Sequence, residues 1–351
     1  MLIYAGIDEA GYGPLLGPLC VACSAFVIAD HDPDVAGGCD LWKKLKKAVC
    51  RKRTDRRRRI AIEDSKKLKG ANQFGDETED VDSETTRKSK APPHPLKHLE
   101  RGVLAFNAAR MGGSPSPSSE RESCPSCDVE LLQHLSVSIG TAPWYSSTTS
   151  LPVAHTADEL RIASSRLGHV MNQESVRCEV LRCEAIDADS FNRQCQAMGS
   201  KAAVNFCAVM RLIDAVWQCW PNEHPRIIVD RQGGRTRYVQ DLLAAYPDAH
   251  VQILAETDTL SRYRLERNGS HLTVSFLVEA EAAHLPVALA SMIAKYVREL
   301  LMMRLNRYFQ GLMPELKATA GYYRDARRYI SDIEPLIARL GVDRSNLVRS
   351  V

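Results

Sequence analysis

No stretch of the 351-residue chain is apolar for long enough to cross a bilayer, so no membrane association is expected. No secretory leader is expected either. Residues 15–28 are apolar, but acids rather than a basic segment precede them, and Gly17 and Pro18 interrupt them. There is no disulfide framework. The eleven cysteines are odd in number and scattered, which points to a reducing compartment and makes the cytoplasm the expected location. Cys124 and Cys127 form a C-x-x-C without a second pair, half of a zinc site, and read as two free thiols in a loop. The net charge of +3 is too small to mark a nucleic-acid binder by its total, so only the distribution of charge can carry such a reading. What remains is a soluble globular composition, 44% apolar and 25% charged, with length for one large domain or two smaller ones.

The informative stretch is the first strand and the turn behind it. An apolar run over residues 3–7 ends in the adjacent acids Asp8 and Glu9, and Gly11 and Gly13 follow one residue apart. Ionised carboxylates are costly to desolvate, so a buried strand that ends on two of them needs a reason. Glycines at that spacing let backbone approach a phosphate or a ribose. An isolated Asp-Glu pair would read as a solvated strand end. The full string Gly6-Ile7-Asp8-Glu9-Ala10-Gly11-Tyr12-Gly13-Pro14-Leu15-Leu16-Gly17-Pro18 is far more specific. It resembles the signature of type 2 ribonucleases H, with Tyr12 where that family usually has Arg or Lys.

Residues 19–28 read as a second strand paired with the first. Trp42, Leu45 and Val49 recur at helical spacing within a dense run of Lys and Arg that extends to Arg59. That run reads equally as a solvated helix or a phosphate-contacting one. Asp64-Ser65-Lys66-Lys67-Leu68 resembles the family's D-S-K-K-L motif, which implies that Ser65 and Lys66 hold phosphate, one as a hydroxyl donor and one as a point charge. Residues 70–149 are rich in Asp, Glu, Ser, Thr and Pro and resemble nothing in the family. They are expected to form a long, partly flexible insertion with a short helix near 99–111. Beyond it we expect a helix over 157–172, a strand over 176–186, a link over 189–200 and a well-packed helix over 201–217. Asn205 matches a family asparagine, and a helix-start hydrogen bond would account for it. Residues 226–230 form a short apolar strand ending in Asp230, and sites in open α/β sheets gather at such strand ends. An N-cap is the plainer account of Asp230, and the family's V-D pattern favours the site. Residues 250–256 read as another buried strand. Asn268-Gly269 marks a hairpin that looks like an embellishment on the family core.

The second match covers residues 281–299. Counting back from Ser291 puts Glu281 at the family's fourth acid, normally an Asp; Ala288, Ala290, Ser291 and Ala294 read as close packing against the sheet. Tyr322 falls where relatives have the tyrosine of H-K-G-Y, with Tyr323 as its rival. The resemblance covers most of 1–70 and 176–351. It implies an α/β, RNase H-like fold: a mixed five-stranded sheet with flanking helices over 1–299, interrupted by the 70–149 insertion, then a small helical module over 300–351.

Phosphodiester hydrolysis is served by two divalent ions, and hard ions need several converging carboxylates. By resemblance Asp8, Glu9, Asp230 and Glu281 form the catalytic, metal-binding set, with Mg²⁺ or Mn²⁺ as the cofactor; Asp8 would be shared between the ions. Gly11, Tyr12, Gly13, Ser65, Lys66 and Tyr322 would contact the substrate, an RNA/DNA hybrid or a DNA duplex containing ribonucleotides. The implied activity is endonucleolytic cleavage of the RNA strand by a monomer, leaving 5′-phosphate and 3′-hydroxyl ends. Two alternatives stand beside it. Tyr12 and Glu281 motivate a non-catalytic hybrid-binding relative. A type 3 enzyme is weaker, because those relatives carry an extra N-terminal domain and here the motif begins almost at Met1.

Overall fold

A computed structural model describes residues 1–31, 39–68, 93–111 and 124–350. The strands are β1 (Leu2–Ala10), β2 (Leu19–Ile28), β3 (Val49–Cys50), β4 (Ile60–Ala61), β5 (Val176–Ile186), β6 (Arg226–Asp230), β7 (His250–Glu256), β8 (Leu260–Arg267) and β9 (Ser270–Leu277). The helices are α1 (Leu41–Lys44), α2 (Ser65–Leu68), α3 (Lys97–Met111), α4 (Asp128–His134), α5 (Ala157–Gln173) and α6 (Ala188–Met198), followed by α7 (Lys201–Cys219), α8 (Val239–Ala245), α9 (Ala280–Ala283), α10 (Leu285–Leu312) and α11 (Tyr323–Leu340).

Seven strands make one mixed sheet in the order β5-β2-β1-β6-β9-β8-β7. The β1–β6 and β6–β9 pairs are parallel and the rest antiparallel. The fold is therefore α/β, but with seven strands where five were expected. The hairpin accounts for the difference. It is no embellishment: β9 lies directly beside β6, and Tyr263, Leu265, Leu272, Val274 and Phe276 are fully buried. Asn268 and Gly269 have φ of 51° and 76°, the two positive values that a tight hairpin turn needs. β7 is the outermost strand, and most of it is at least partly exposed rather than buried, with Ile253 49% accessible.

Period-2 alternation in β1 divides the core in two. Leu2, Tyr4 and Ala10 join the layer built with α3, α5 and α10; Ala5 and Ile7 join the layer built with α6, α7 and α8. α10 comes very close to β1 because Gly6 has no side chain: a Cβ there would lie 2.2 Å from Val287 N. α7 is apolar and long enough, by length and composition, to cross a membrane, contrary to the expectation from the sequence. In the fold it is a core helix, with Val204, Val209, Leu212, Ile213 and Trp217 buried against the sheet.

Several expectations need correction. The helix expected around 42–49 is the single turn α1; Trp42 and Leu45 are still buried, but the chain goes straight on into β3. The expected link over 189–200 is α6, started by the Asp187 side chain accepting from Ser190 N and ended by Gly199 at φ 79°. Within the 70–149 segment, the described parts belong to the core. α3 buries Leu99, Val103, Leu104 and Phe106, and Trp144 and Tyr145 are buried against α10. Composition hid this because the segment's polar anchors look solvated. Glu100 is fully buried and accepts hydrogen bonds from Val153 N, Ala154 N and Tyr296 Oη; Asp128 is fully buried and pairs with Arg304 Nη2 at 2.6 Å. Residues 69–92 and 112–123, the rest of the proposed insertion, lie outside the described residues. The 299/300 boundary falls inside α10, which runs unbroken from the sheet to Leu312.

Candidate active site

The site forms at the carboxyl end of two parallel strands. Ile7 pairs with Val229, so Asp8 and Asp230, one residue further on, stand side by side at the ends of β1 and β6. Asp8 and Glu9 point to opposite faces of the sheet. Asp8 faces α10 and meets Ser291; Glu9 faces α7 and meets Asn205. α9, a single turn after β9, brings in Glu281, and α2 brings in Ser65 and Lys66.

All ten residues selected from the sequence line one cleft of about 260 Å³: Asp8, Glu9, Gly11, Tyr12, Gly13, Ser65, Lys66, Asp230, Glu281 and Tyr322. Tyr323 does not; its ring lies under Arg327, 4.4 Å from the guanidinium carbon. Ser291 and Lys295 of α10 also line the cleft. From the sequence Ser291 reads as close packing against the sheet, and Lys295 carries no assigned role. Ser291 Oγ donates to Ser65 Oγ at 3.0 Å, which ties the D-S-K-K-L segment to α10. Lys295 Nζ pairs with Glu299 at 3.0 Å and lies 5.9 Å from the Tyr322 ring. Asn205 is also more than a helix-start residue: Ser200 caps α7, and Asn205 is fully buried beside Glu9. Its amide favours the Glu9 carboxylate, although neither amide atom makes a hydrogen bond of ordinary geometry.

Electrostatics set the chemistry. Burial pushes Asp8 well above the usual carboxylate range, and the Glu9 charge adds to this against the Ser291 hydroxyl and the Glu9 amide, which donates to Asp8 Oδ1 at 2.7 Å. Glu9 is pushed up to about 7, first by burial and then by Asp230, with Asn205 and Lys66 opposing. Asp230 is pushed up to about 8 by burial and then by Asp8 and Glu281; Ala280 N donates to its Oδ1 at 2.8 Å. Glu281 Oε2 is buried without a hydrogen-bond partner. Asp8, Glu9 and Asp230, each raised by burial and by a neighbouring acid, together with the orphaned Glu281 oxygen, suit a hard divalent cation. The fit is one of donor chemistry: among the described residues, no three Asp, Glu, His or Cys side chains are already gathered as a coordination shell. Cys124 and Cys127 are free thiols and form no such cluster either.

The turn after β1 is fixed from behind. Gly11 has φ 85°, and a Cβ there would lie 2.7 Å from both Arg298 Cδ and Pro18 O. Arg298 is buried and donates to Leu16 O and Ala320 O, each at 3.1 Å. Leu15 N donates to Gly321 O at 2.9 Å. Gly13 has nothing within 4 Å of where its Cβ would be, so its backbone faces open space. Tyr12 packs under Lys201, whose Nζ lies 5.0 Å from the ring centre.

No family model and no curated protein matches the chain. Solved structures similar to it include the PCNA:RNase HII complex from Archaeoglobus fulgidus, at 15% identity over 99% of this chain and 93% of that one, with a TM-score of 0.38. Bst-RNase HIII in complex with Mn²⁺ is similar at 15% identity over 99% of this chain and 66% of that one, with a TM-score of 0.40. Ribonuclease H2 from Pyrococcus horikoshii OT3 is similar at 12% identity over 99% and 92%, with a TM-score of 0.35. All three are ribonucleases H by name, and their low identities and TM-scores leave the site's chemistry to be read from this chain's own side chains.

Proposed function

We propose that the protein is a divalent-metal-dependent endoribonuclease that cleaves the RNA strand of RNA/DNA hybrids, leaving 5′-phosphate and 3′-hydroxyl ends. The observation that carries this reading is the convergence of Asp8, Glu9, Asp230 and Glu281 on one cleft, with Asp8, Glu9 and Asp230 pushed toward the neutral form by burial and by neighbouring acids. Asp8, Asp230 and Glu281 would hold the ions, with Glu9 at the edge of the set. Bound Mg²⁺ or Mn²⁺ would supply Lewis acidity for activating water and for offsetting charge on the phosphate. The chain's own groups do the rest. Lys66 and Lys295 place positive charge at the cleft, Ser65 offers a hydroxyl, and the Gly11–Gly13 backbone can approach a ribose closely. Tyr322, 51% exposed at the start of α11, presents an aromatic face at the cleft wall against which a sugar or base can pack.

The test is a substrate panel. An RNA/DNA hybrid, a DNA duplex with one ribonucleotide, duplex DNA and duplex RNA are each incubated with Mg²⁺, Mn²⁺ or EDTA, and the ends are mapped. Cleavage of the hybrid's RNA strand only with metal is the expected result. Hybrid binding without cleavage under any metal would replace the nuclease with a binding protein.

A further inference from the structure

The β3–β4 loop, α3 and α5 enclose a second cavity of about 470 Å³ that shares no residue with the catalytic cleft. Arg57, Arg58, Lys97, Arg101 and Arg166 line it. Among the described residues, none of these five forms an ion pair with a carboxylate. Among the described residues of the lining Glu159 is the one acid; it accepts from Thr156 N at 3.0 Å in the capping box of α5, and its charge offsets part of that of Arg101 and Lys97. Five cations against one acid leave the lining with an excess of positive charge, and backbone carbonyls hold two of the guanidiniums in place. Arg101 donates to Arg58 O at 2.7 Å and Arg166 to Arg57 O at 2.9 Å. Two buried nitrogens in the lining lack partners, Arg101 Nε and His155 Nε2. The His155 side chain is only 3% exposed, and its Nδ1 is fixed by Glu100 Oε1 at 3.0 Å, which leaves Nε2 buried without a partner behind the cavity wall. Neighbouring His98 is pushed down to about 4, chiefly by burial and further by the nearby Arg53, Lys97, His155 and Arg101. Ile60, Ile162 and Ala163 supply an apolar wall beside the cations.

We propose that this cavity is a phosphate-binding site separate from the catalytic cleft. Guanidinium forks match the oxygens of a phosphate, and the apolar wall suits an attached sugar or base. The phosphate can come from a nucleic-acid backbone or from a free phosphoanion such as a nucleotide. The loop favours the backbone source. Arg51, in the same loop, donates to Ala282 O at 2.5 Å beside Glu281, and β4 leads directly into Ser65 and Lys66. The backbone source rests on the nuclease reading; the site itself does not.

Two measurements on the 351-residue chain test this. In EDTA, inorganic pyrophosphate is titrated by calorimetry into wild type, Arg57→Gln/Arg166→Gln and Lys66→Gln, the last as a cleft control. One saturable site is expected, at least about tenfold weaker in the double variant and unchanged in Lys66→Gln. Hybrid binding is then followed by anisotropy without metal, using a short duplex that fills only the cleft and a longer one. Weaker binding of the long duplex alone assigns the site to the backbone; weaker pyrophosphate binding with both duplexes unchanged assigns it to a free phosphoanion. The proposal is overturned if the double variant matches wild type in both measurements, or if pyrophosphate binding is lost in Lys66→Gln and kept in the double variant. Where the double variant does not fold by circular dichroism, Lys97→Gln, whose side chain makes no hydrogen bond among the described residues, replaces it under the same criteria. Absence of cleavage would remove the nuclease reading and leave the pyrophosphate result standing.

Discussion

Asp8 and Glu9 are neighbours in sequence that look out of opposite faces of the sheet, and this explains why one strand end can supply two different acids. Asp8 is judged by α10 and Glu9 by α7, and burial raises both. A carboxyl whose folded-state pKa is raised stabilises the fold fully below its unfolded pKa of about 4 and loses that contribution as pH rises through the folded value. With Glu9 at about 7 and Asp230 at about 8, the metal-free protein should lose stability steadily toward pH 8. A divalent ion binds the ionised acids and removes that loss. The shift in Tm on adding Mg²⁺ or Mn²⁺ is therefore expected to be small at pH 5 and to grow up to pH 8; a shift independent of pH, or larger in acid, contradicts the assignment. Tyr12 poses a separate question. A phenol cannot grip a phosphate as a guanidinium does, and one charge-assisted contact is worth roughly 1.5–3 kcal/mol. Restoring it by Tyr12→Arg should raise cleavage at a single embedded ribonucleotide more than cleavage of a continuous hybrid. Lys201 already sits over the ring, so the gain should be clearest in a Lys201→Ala background, which relieves the like charges. Equal changes on both substrates would show that Tyr12 does not set this preference.

At the scale of elements, α10 is the spine. It touches β1 through Gly6, carries Ser291 and Lys295 to the cleft, and receives the segment before α5 through Arg304 and Tyr296. Gly6→Ala puts a methyl into the α10 backbone and should cost about 1–3 kcal/mol or more, read as a fall in Tm with loss of activity. Asp128→Ala leaves the buried Arg304 guanidinium without its counter-charge and should cost about 3–5 kcal/mol by denaturant unfolding. A cost near zero would mean that 124–149 is the loose appendage its composition suggested. Deleting residues 72–147 is expected to unfold the chain, since it removes α3 and both buried acids. The strands and the long helices were legible in the sequence because their signals are local: alternation in β5, the Asn-Gly turn, the small-residue face of α10. The role of 93–149 was not, because Glu100 and Asp128 read as surface charges until partners more than a hundred residues away, Tyr296 and Arg304, are placed beside them. The same holds at the site. Acids inside motifs were visible, whereas Asn205 and Lys295 gain meaning only from the residues that the fold sets next to them.

The whole molecule is a sheet with a core on each face and its acids at one end, and the chain's two ends close on that point. The turn after β1 receives Arg298 from α10, Gly321 from the connection before α11, and Arg349, whose guanidinium donates to Pro14 O while its amide donates to Leu15 O at 2.9 Å. Tyr322 is held at the cleft by the same connection. This arrangement fixes the positions of substrate-facing groups without using the carboxylates, so binding and chemistry should be separable. The most direct test compares wild type with Asp8→Asn and Asp230→Asn on an RNA/DNA hybrid, measuring both affinity without metal and cleavage with Mg²⁺ or Mn²⁺. Wild type should cut the RNA strand, and both variants should bind the hybrid as wild type does and cut it not at all. Cleavage by both variants at close to the wild-type rate would contradict the account.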